Sequence, residues 1–403
     1  MCSRITRSVL FAALSCFLLS RTAFAQLQGH FSLEKEQFKV GEPVYLHFDL
    51  TNQGKEPVQF LQGNRYTFCG GYSIDVSTTP PLQHSSCDHR FGGSCITGMQ
   101  IVAPGETRHE TILLNYEHDL SRSGAYDIHA TWAANYGPKT DDSPIPAGDQ
   151  QIKVDDHLRV QLIEASGENL EPLFQSYIAG LTAQDEEHRI EAARVIGSLA
   201  PPFLEDTMVS MLDIPAARSF ALLGLKNLNT PHSREVLAGI VQATTGYSYE
   251  KEKIIKYLAD MGDKKYLALL LEIAQKQQPN QARDYVLAAA RLGGEDAMPF
   301  VKSLLADSDP FSRANGLMGL SETGSRSAVP ILIETLKNQN PDFGRLALTG
   351  LRQLTHRSPF LDGQIYQESS SRLYASWLRW WMLNGNSVPV YGPQQCGEIL
   401  PLT

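Results

Sequence analysis

After its first 25 residues this 403-residue chain has no uninterrupted apolar run of about 18 residues, the length a membrane helix needs. It contains no H-E-x-x-H, no G-x-S-x-G, no P-loop and no G-x-G-x-x-G fingerprint. The usual metalloprotease, serine-hydrolase and nucleotide-binding readings therefore lack their residues. Positive charge is in short supply, with 35 Lys and Arg against 44 Asp and Glu and a formal net charge of −9. Arg4, Arg7 and Arg21 lie in the first 25 residues, which hold no acid, so the remainder is more acidic still. Such a chain is not expected to grip nucleic acid or an anionic membrane surface. Cysteine is also scarce: there are six, and Cys2 and Cys16 belong to the opening segment.

That opening segment reads as an export signal. Arg4 and Arg7 make a basic start, Ser8 to Ser20 is a short apolar core, and Ala23-Phe24-Ala25 offers small residues at −3 and −1. Cleavage is expected between Ala25 and Gln26, giving a periplasmic or secreted protein. A lipoprotein alternative would acylate Cys16, but Ala-Leu-Ser before it is a poor lipobox. Four cysteines then remain, Cys69, Cys87, Cys95 and Cys396, and an oxidising compartment favours their pairing. Three connectivities are open. Cys87 and Cys95 are close enough to close one loop, in which case Cys69 with Cys396 ties the tail to the first domain.

Residues 26–166 carry strand signals. Val44, Leu46, Phe48 and Leu50 alternate with Tyr45, His47, Asp49 and Thr51, a period of two. Asn52-Gln53-Gly54-Lys55 is read as a turn, with Val58 and Phe60 starting the return strand. Tyr126, Ile128, Ala130 and Trp132 form another inward row. Segments 71–77, 107–116 and 151–165 supply further strands, and short strands between turns predict a β-sandwich. The phrase from Phe38 to Val58, F-x-V-G-E-P-V … L-T-N-x-G-K-E-P-V, resembles immunoglobulin-like domains of exported bacterial proteins. It is also similar to the sandwich of a bacterial proteinase-inhibitor family. Gly124-Ala125-Tyr126 is placed to make a tyrosine corner.

The second half repeats itself. LLGLKNLNTPHS (Leu222 to Ser233) and LTGLRQLTHRSP (Leu348 to Pro359) are near copies. Aligning on Leu199, Leu228, Met261, Leu292, Thr323 and Leu354 gives steps of 29, 33, 31, 31 and 31 residues, the mark of a stacked repeat. Asp296 to Asp307 matches Ser327 to Asn338 at the same 31-residue offset, with Pro299 and Pro330 in the first turn of a helix. Val329, Leu332, Ile333 and Leu336 form one helical stripe, as do Ala217, Phe220, Ala221, Leu225 and Leu228. Gly262-Asp263 and Gly293-Gly294 mark stops. Gly224, Gly319 and Gly350 share one aligned position, which predicts a close approach of neighbouring helices. Ala288 holds that position in another unit, and Tyr257 breaks the pattern. Each unit is thus two helices, and the units are expected to stack into an α-solenoid.

An A-helix ending in L-x-G-L, followed by A-Φ-P-x-L-x-x-L-L, resembles the short HEAT-like repeats of bacterial proteins, of the type found in lyases that attach bilins. Thr230-Pro231-His232 matches the ankyrin motif only in part, and tetratricopeptide landmarks are missing. The expected architecture is therefore an all-β plus all-α chain: an immunoglobulin-like β-sandwich at 26–166, then an α-solenoid of HEAT-like helix pairs at 167–357. Residues 358–403 leave the repeat. They carry a helix with Trp377, Trp380 and Trp381 on one side, read as aromatics that cap the last repeat, with an aromatic ligand platform as the rival.

Candidate chemistry is sparse. His84, Cys87, His89 and Cys95 are able to gather around zinc, but their spacing fits no common finger and export favours a disulfide-stapled loop. His30, His47, His109, His118, His129 and His157 also crowd the first domain. Scattered surface histidines are the plain reading, and a pH- or metal-sensing face the rival. Ser32 to Lys35 and Ser248 to Lys251 match Ser-x-x-Lys without the partner motifs of an acyl-transfer site. The acidic pairs Glu186-Glu187 and Asp141-Asp142 read as helix starts and turns. No catalytic residue, cofactor or resident metal is expected. The expected function is a non-enzymatic scaffold that binds an unknown protein or peptide through its helical repeats. The alternatives are a proteinase-inhibitor-like or carbohydrate-binding sandwich, and a lyase-related enzyme or accessory. If export and pairing are read correctly, non-reducing mass mapping of the mature protein finds no free thiol among Cys69, Cys87, Cys95 and Cys396. Free Cys87 and Cys95 would restore the zinc reading.

Overall fold

The structure is a computed structural model, and it describes residues 27–63, 72–79, 97–139, 150–165, 170–246, 248–338, 340–358, 369–392 and 400–402. The opening segment, all four later cysteines, His84, His89 and the Asp141-Asp142 pair lie outside the described residues. The described residues fall into two units, one ending at Leu170 and the other beginning at Glu171.

Among the described residues the first unit holds nine strands: β1 (Leu27–Leu33), β2 (Gln37–Lys39), β3 (Tyr45–Asn52), β4 (Val58–Gly63), β5 (Tyr72–Thr79), β6 (Thr97–Val102), β7 (Thr107–Leu113), β8 (Gly124–Pro138) and β9 (Gln150–Ile163). One sheet has the order β1-β3-β7; the other runs β2-β9-β8-β4-β6, with β5 also on β8. The alternation in the sequence decides which side chains face inward. Leu46, Phe48 and Leu50 from β3 meet Tyr126, Ile128, Ala130 and Trp132 from β8 in one core. Phe48 and Phe60 both pack on Trp132, with ring centroids 5.1 and 5.5 Å away. The Tyr126 hydroxyl donates to the Arg122 carbonyl at 2.9 Å, the tyrosine-corner bond that the tripeptide predicts. Leu114–Glu117 forms a single helical turn, α1, after β7.

The expected return strand is corrected. The segment after Asn52 does not fold β4 back on β3; β4 pairs with β6 and β8 in the other sheet. The physical reason is Asn52. It is fully buried, its amide donates to Glu56 and Val102 carbonyls at 2.9 and 3.0 Å, and its side-chain oxygen accepts from the Gly54 N–H. These bonds satisfy an arch that carries the chain from one sheet to the other. A tight hairpin leaves no buried role for that side chain.

The second unit is a row of helix pairs. After α2 (Glu171–Gly180) come the A-helices α3 (Glu186–Leu199), α5 (Arg218–Leu228), α7 (Tyr249–Met261), α9 (Arg283–Gly293), α11 (Pro310–Glu322) and α13 (Pro341–Thr355). Their partners are α4 (Glu205–Met211), α6 (Pro231–Ala243), α8 (Leu267–Lys276), α10 (Met298–Leu305) and α12 (Ala328–Thr335). The A-helices end within a residue of the aligned positions. Asp185, Ser248, Asp309 and Asn340 cap the starts of four of them by accepting backbone N–H bonds, and Thr230 does the same for the partner helix α6. Ala200, Asn229, Gly262 and His356 end four of them in left-handed conformations.

A polar ladder joins successive A-helices. Asp260, Arg291, Glu322 and Gln353 stand 31 residues apart. Arg291 reaches Asp260 at 2.7 Å and Glu322 at 2.8 Å, and Gln353 donates to Glu322 at 3.4 Å. A charged group that must meet both neighbours holds the stacking register, because a slip by one residue breaks both ends.

The glycines divide into two kinds. A Cβ on Gly224 would lie 3.1 Å from the Gly197 Cα, and one on Gly197 would overlap the Phe220 carbonyl, 2.8 Å from its carbon. Here α3 and α5 meet backbone to backbone. At Gly319 the nearest atoms are valine methyls at 3.3 to 3.5 Å, a snug side-chain contact and not a meeting of backbones. Where Tyr257 takes the glycine position, α5 and α7 meet over a much shorter stretch than α3 and α5, and the step is 33 residues. Gly197→Ala should therefore lower stability by about 1–3 kcal/mol through overpacking, while Gly319→Ala should stay near neutral. Thermal or urea melts of the two variants decide this; equal effects would remove the backbone-contact argument.

Candidate functional site

Among the described residues, five histidines of the first unit, His30, His47, His109, His129 and His157, lie on outward strand faces, while His118 ends α1, its backbone N–H donating to the Leu114 carbonyl at 2.9 Å. In the three-stranded sheet, His30, Asp49 and His109 are direct neighbours across β1, β3 and β7. His109 Nδ1 lies 2.6 Å from Asp49 Oδ1, and His30 Nε2 lies 3.8 Å from Asp49 Oδ2. The carboxylate sits between the two rings and offers each a different oxygen. His47 points out on the same strand, with Nδ1 3.5 Å from the Thr111 hydroxyl.

In the larger sheet, His129 of β8 and His157 of β9 are cross-strand partners, with rings parallel to within 3° and centroids 4.3 Å apart. Asp155 stands two residues before His157 on the same face. Its Oδ1 lies 2.8 Å from His129 Nε2 and 3.9 Å from His157 Nε2. Its Oδ2 accepts from Lys153 Nζ at 2.7 Å. The Lys153 and His129 hydrogen bonds hold the Asp155 carboxyl down at about 2. The next cross-strand pair is Asp127 with Arg159, 3.4 Å apart. His157 also borders a cleft of about 670 Å³ lined by residues 31–36 and 157–161. At the edge of that cleft the Phe31 N–H donates to Asp156 at 2.8 Å, tying β1 to β9.

The remaining candidates are placed as follows. Ser248 caps α7 by accepting the Lys251 N–H, and the buried Lys251 ammonium donates to the Thr244 carbonyl at 2.7 Å. The serine oxygen and the lysine amine are thus each committed to backbone, an N-cap and a buried anchor. Lys35 pairs with Glu42. Glu186 and Glu187 occupy the first turn of α3. In α14 (Ser370–Asn384), Trp377 and Trp380 are buried in one core with Leu332, Ile333, Leu351 and Leu354. Their rings meet edge to face at 5.6 Å. Trp381 is partly buried, and Arg326 lies 5.8 Å from its ring. Val388 to Gly392 follows the same end of the repeats: Tyr391 stacks on His356 at 3.8 Å and its N–H donates to the Leu354 carbonyl.

Sequence reading missed a further register. Twelve residues before each aligned position stand Glu187, Ala216, Tyr249, Asn280, Phe311 and Asp342, in the first turn of an A-helix or just before it. Tyr249 is 73% exposed and Phe311 58% exposed, two repeats apart. The signal was present in the alignment, but only the structure shows that these aromatics face water.

A comparison with known protein families and with characterised proteins finds no match. Among solved structures, the chain is similar to the complex of CpcE and CpcF of phycocyanin lyase from Nostoc sp. PCC7120, at 18% identity and a TM-score of 0.28, covering 60% of this chain and 100% of that one. It is also similar to Salmonella alpha-2-macroglobulin reacted with methylamine, at 11% identity and a TM-score of 0.19, and to trypsin-activated alpha-2-macroglobulin from Escherichia coli, at 11% and 0.17. Each of those two covers 88% of this chain, while this chain spans 27% and 24% of their lengths. The expectation of a non-enzymatic protein is corrected here. A phycocyanin lyase complex stands among the solved structures this chain is similar to. At these TM-scores no activity passes from any neighbour to this chain. No described helix is long and apolar enough to cross a membrane.

The depressed Asp155 carboxyl makes a pH prediction. Its folded value lies below the unfolded one near 3.8, so its pairing contributes fully above about pH 4 and is lost as pH falls towards 2. A carbon-detected NMR titration should place Asp155 near 2 in the native chain and nearer 4 in Lys153→Met. Equal values in both proteins would show that Lys153 does not hold the carboxylate.

Proposed function

We propose that the chain is an exported partner-binding protein, with an immunoglobulin-like β-sandwich at 26–166, an α-solenoid of HEAT-like helix pairs at 167–357 and a Trp-rich cap and extended tail at 358–403. The solenoid binds an extended segment of a protein partner. The observation that supports this most directly is the pair of exposed aromatics, Tyr249 and Phe311, at one register of the repeat.

Adjacent packed helices lie 8–10 Å apart, so two repeats separate these side chains by roughly 16–20 Å. An extended chain covers that distance in about five or six residues. Glu187 and Asp342 continue the row at its ends, and the chain is acidic overall. A segment with two apolar anchors matches this edge. Exposed aromatics at a regular spacing are the usual anchors of such contacts.

The test is affinity capture from the native compartment with the mature chain and with Tyr249→Ser/Phe311→Ser. Both positions are exposed, so folding should be kept and circular dichroism unchanged. A partner held by the native chain should bind the double variant at least about tenfold more weakly, the scale of an aromatic hot spot. Undiminished capture by the double variant would remove this edge from the binding surface.

A further inference from the structure

We infer that His129, Asp155 and His157 form a site for a zinc-class divalent cation on the outer face of the β8–β9 pair. Their ligand atoms, two imidazole nitrogens and one carboxylate oxygen, all lie within 4.8 Å of one another. They converge because of register. His129 and His157 face each other directly, and Asp155 comes from the next outward position of the same strand as His157. Both Nε2 atoms therefore approach one oxygen, at 2.8 and 3.9 Å.

Zinc holds nitrogen and oxygen ligands at about 2.0–2.2 Å in a tetrahedron, which sets the ligand atoms roughly 3.3 Å apart. The two observed separations bracket that value. His157 is exposed, and a small swing of its ring closes the longer one. Two imidazoles and one carboxylate suit zinc, cobalt, nickel or copper, whereas calcium and magnesium prefer all-oxygen sets. Three protein ligands leave further positions for water or for a partner's side chain.

The row on the other sheet shows that composition alone is not enough. His30, Asp49 and His109 have the same residue types, but their rings meet opposite oxygens of the carboxylate. That row supplies an internal control. Lys153 supplies a second test, since its ammonium occupies the other oxygen of Asp155 and repels an incoming cation.

Zinc affinity of the full chain is measured by competition with a chromophoric chelator, and cobalt(II) is added to read ligand-field absorption. One equivalent should bind. His129→Ala, Asp155→Asn and His157→Ala should each weaken zinc by at least about tenfold and change the cobalt spectrum. Lys153→Met should tighten it. His30→Ala/His109→Ala, and likewise His84→Ala/His89→Ala, should leave it unchanged. Circular dichroism confirms that each variant is folded. The inference is overturned if the native chain binds no zinc, if His129→Ala/His157→Ala binds as tightly as the native chain, or if only His84→Ala/His89→Ala loses the metal. Unchanged affinity in Asp155→Asn removes the carboxylate from the ligand set.

Discussion

A helix with one apolar stripe has nowhere to bury it except against another helix, and the second unit is built on that constraint. Ala221, Leu225 and Ala192 are fully or almost fully buried because α3 and α5 lie against each other. Where backbones touch, as at Gly197 and Gly224, no side chain larger than hydrogen fits between them. The capped starts and left-handed ends follow from the same demand, since each helix must stop where the next one turns back. Repeats held this way interact mainly with their neighbours, so stability accumulates from one interface to the next. The seam between α5 and α7 is the sparsest A-helix interface, and it coincides with the longest step and with Tyr257. Local opening should begin there before it reaches the Arg291 ladder.

The first unit meets the constraint differently. A strand buries alternate side chains, so the rule that sends Tyr126, Ile128, Ala130 and Trp132 inward sends Asp127, His129 and Thr131 outward. The outward set is free to be polar. Cross-strand pairing then turns single polar residues into rows: Asp127 with Arg159, His129 with His157, Thr131 with Asp155. The chemistry of that face is a consequence of register.

Much of this was legible from residue spacing. The helix ends at Leu199, Leu228, Met261 and Thr355 match the alignment to within a residue because apolar periodicity and stop signals agree there. The strands at 45–52 and 124–138 match because their alternation is unbroken. Asn52 was misread because a polar residue before Gly54 has the look of a hairpin turn, and its buried amide bonds come from Glu56 and the distant Val102. The aligned glycines suggested one kind of contact, whereas Gly197, which lies outside that register, makes the tightest one. The histidines were countable, but their pairing was not. Which two face each other depends on how β8 and β9 align, and no local pattern states that.

The contrast between the two histidine rows shows what separates a polar surface from a site. In the row around Asp49, one residue comes from each of three strands, and the carboxylate occupies the middle. Its neighbours lie on opposite sides, so their nitrogens are kept apart by the acid that attracts them. In the row around Asp155, two residues share β9 and one comes from β8, so the acid stands diagonal to one ring and beside the other. Both nitrogens then approach a single oxygen. Two residues on one strand and one opposite define a triangle; three strands in line define only a row. The twist of a two-strand pair brings the corners of such a triangle together. A convergent trio of side chains therefore needs no cavity to exist, only a cross-strand pair with an acid one outward step along.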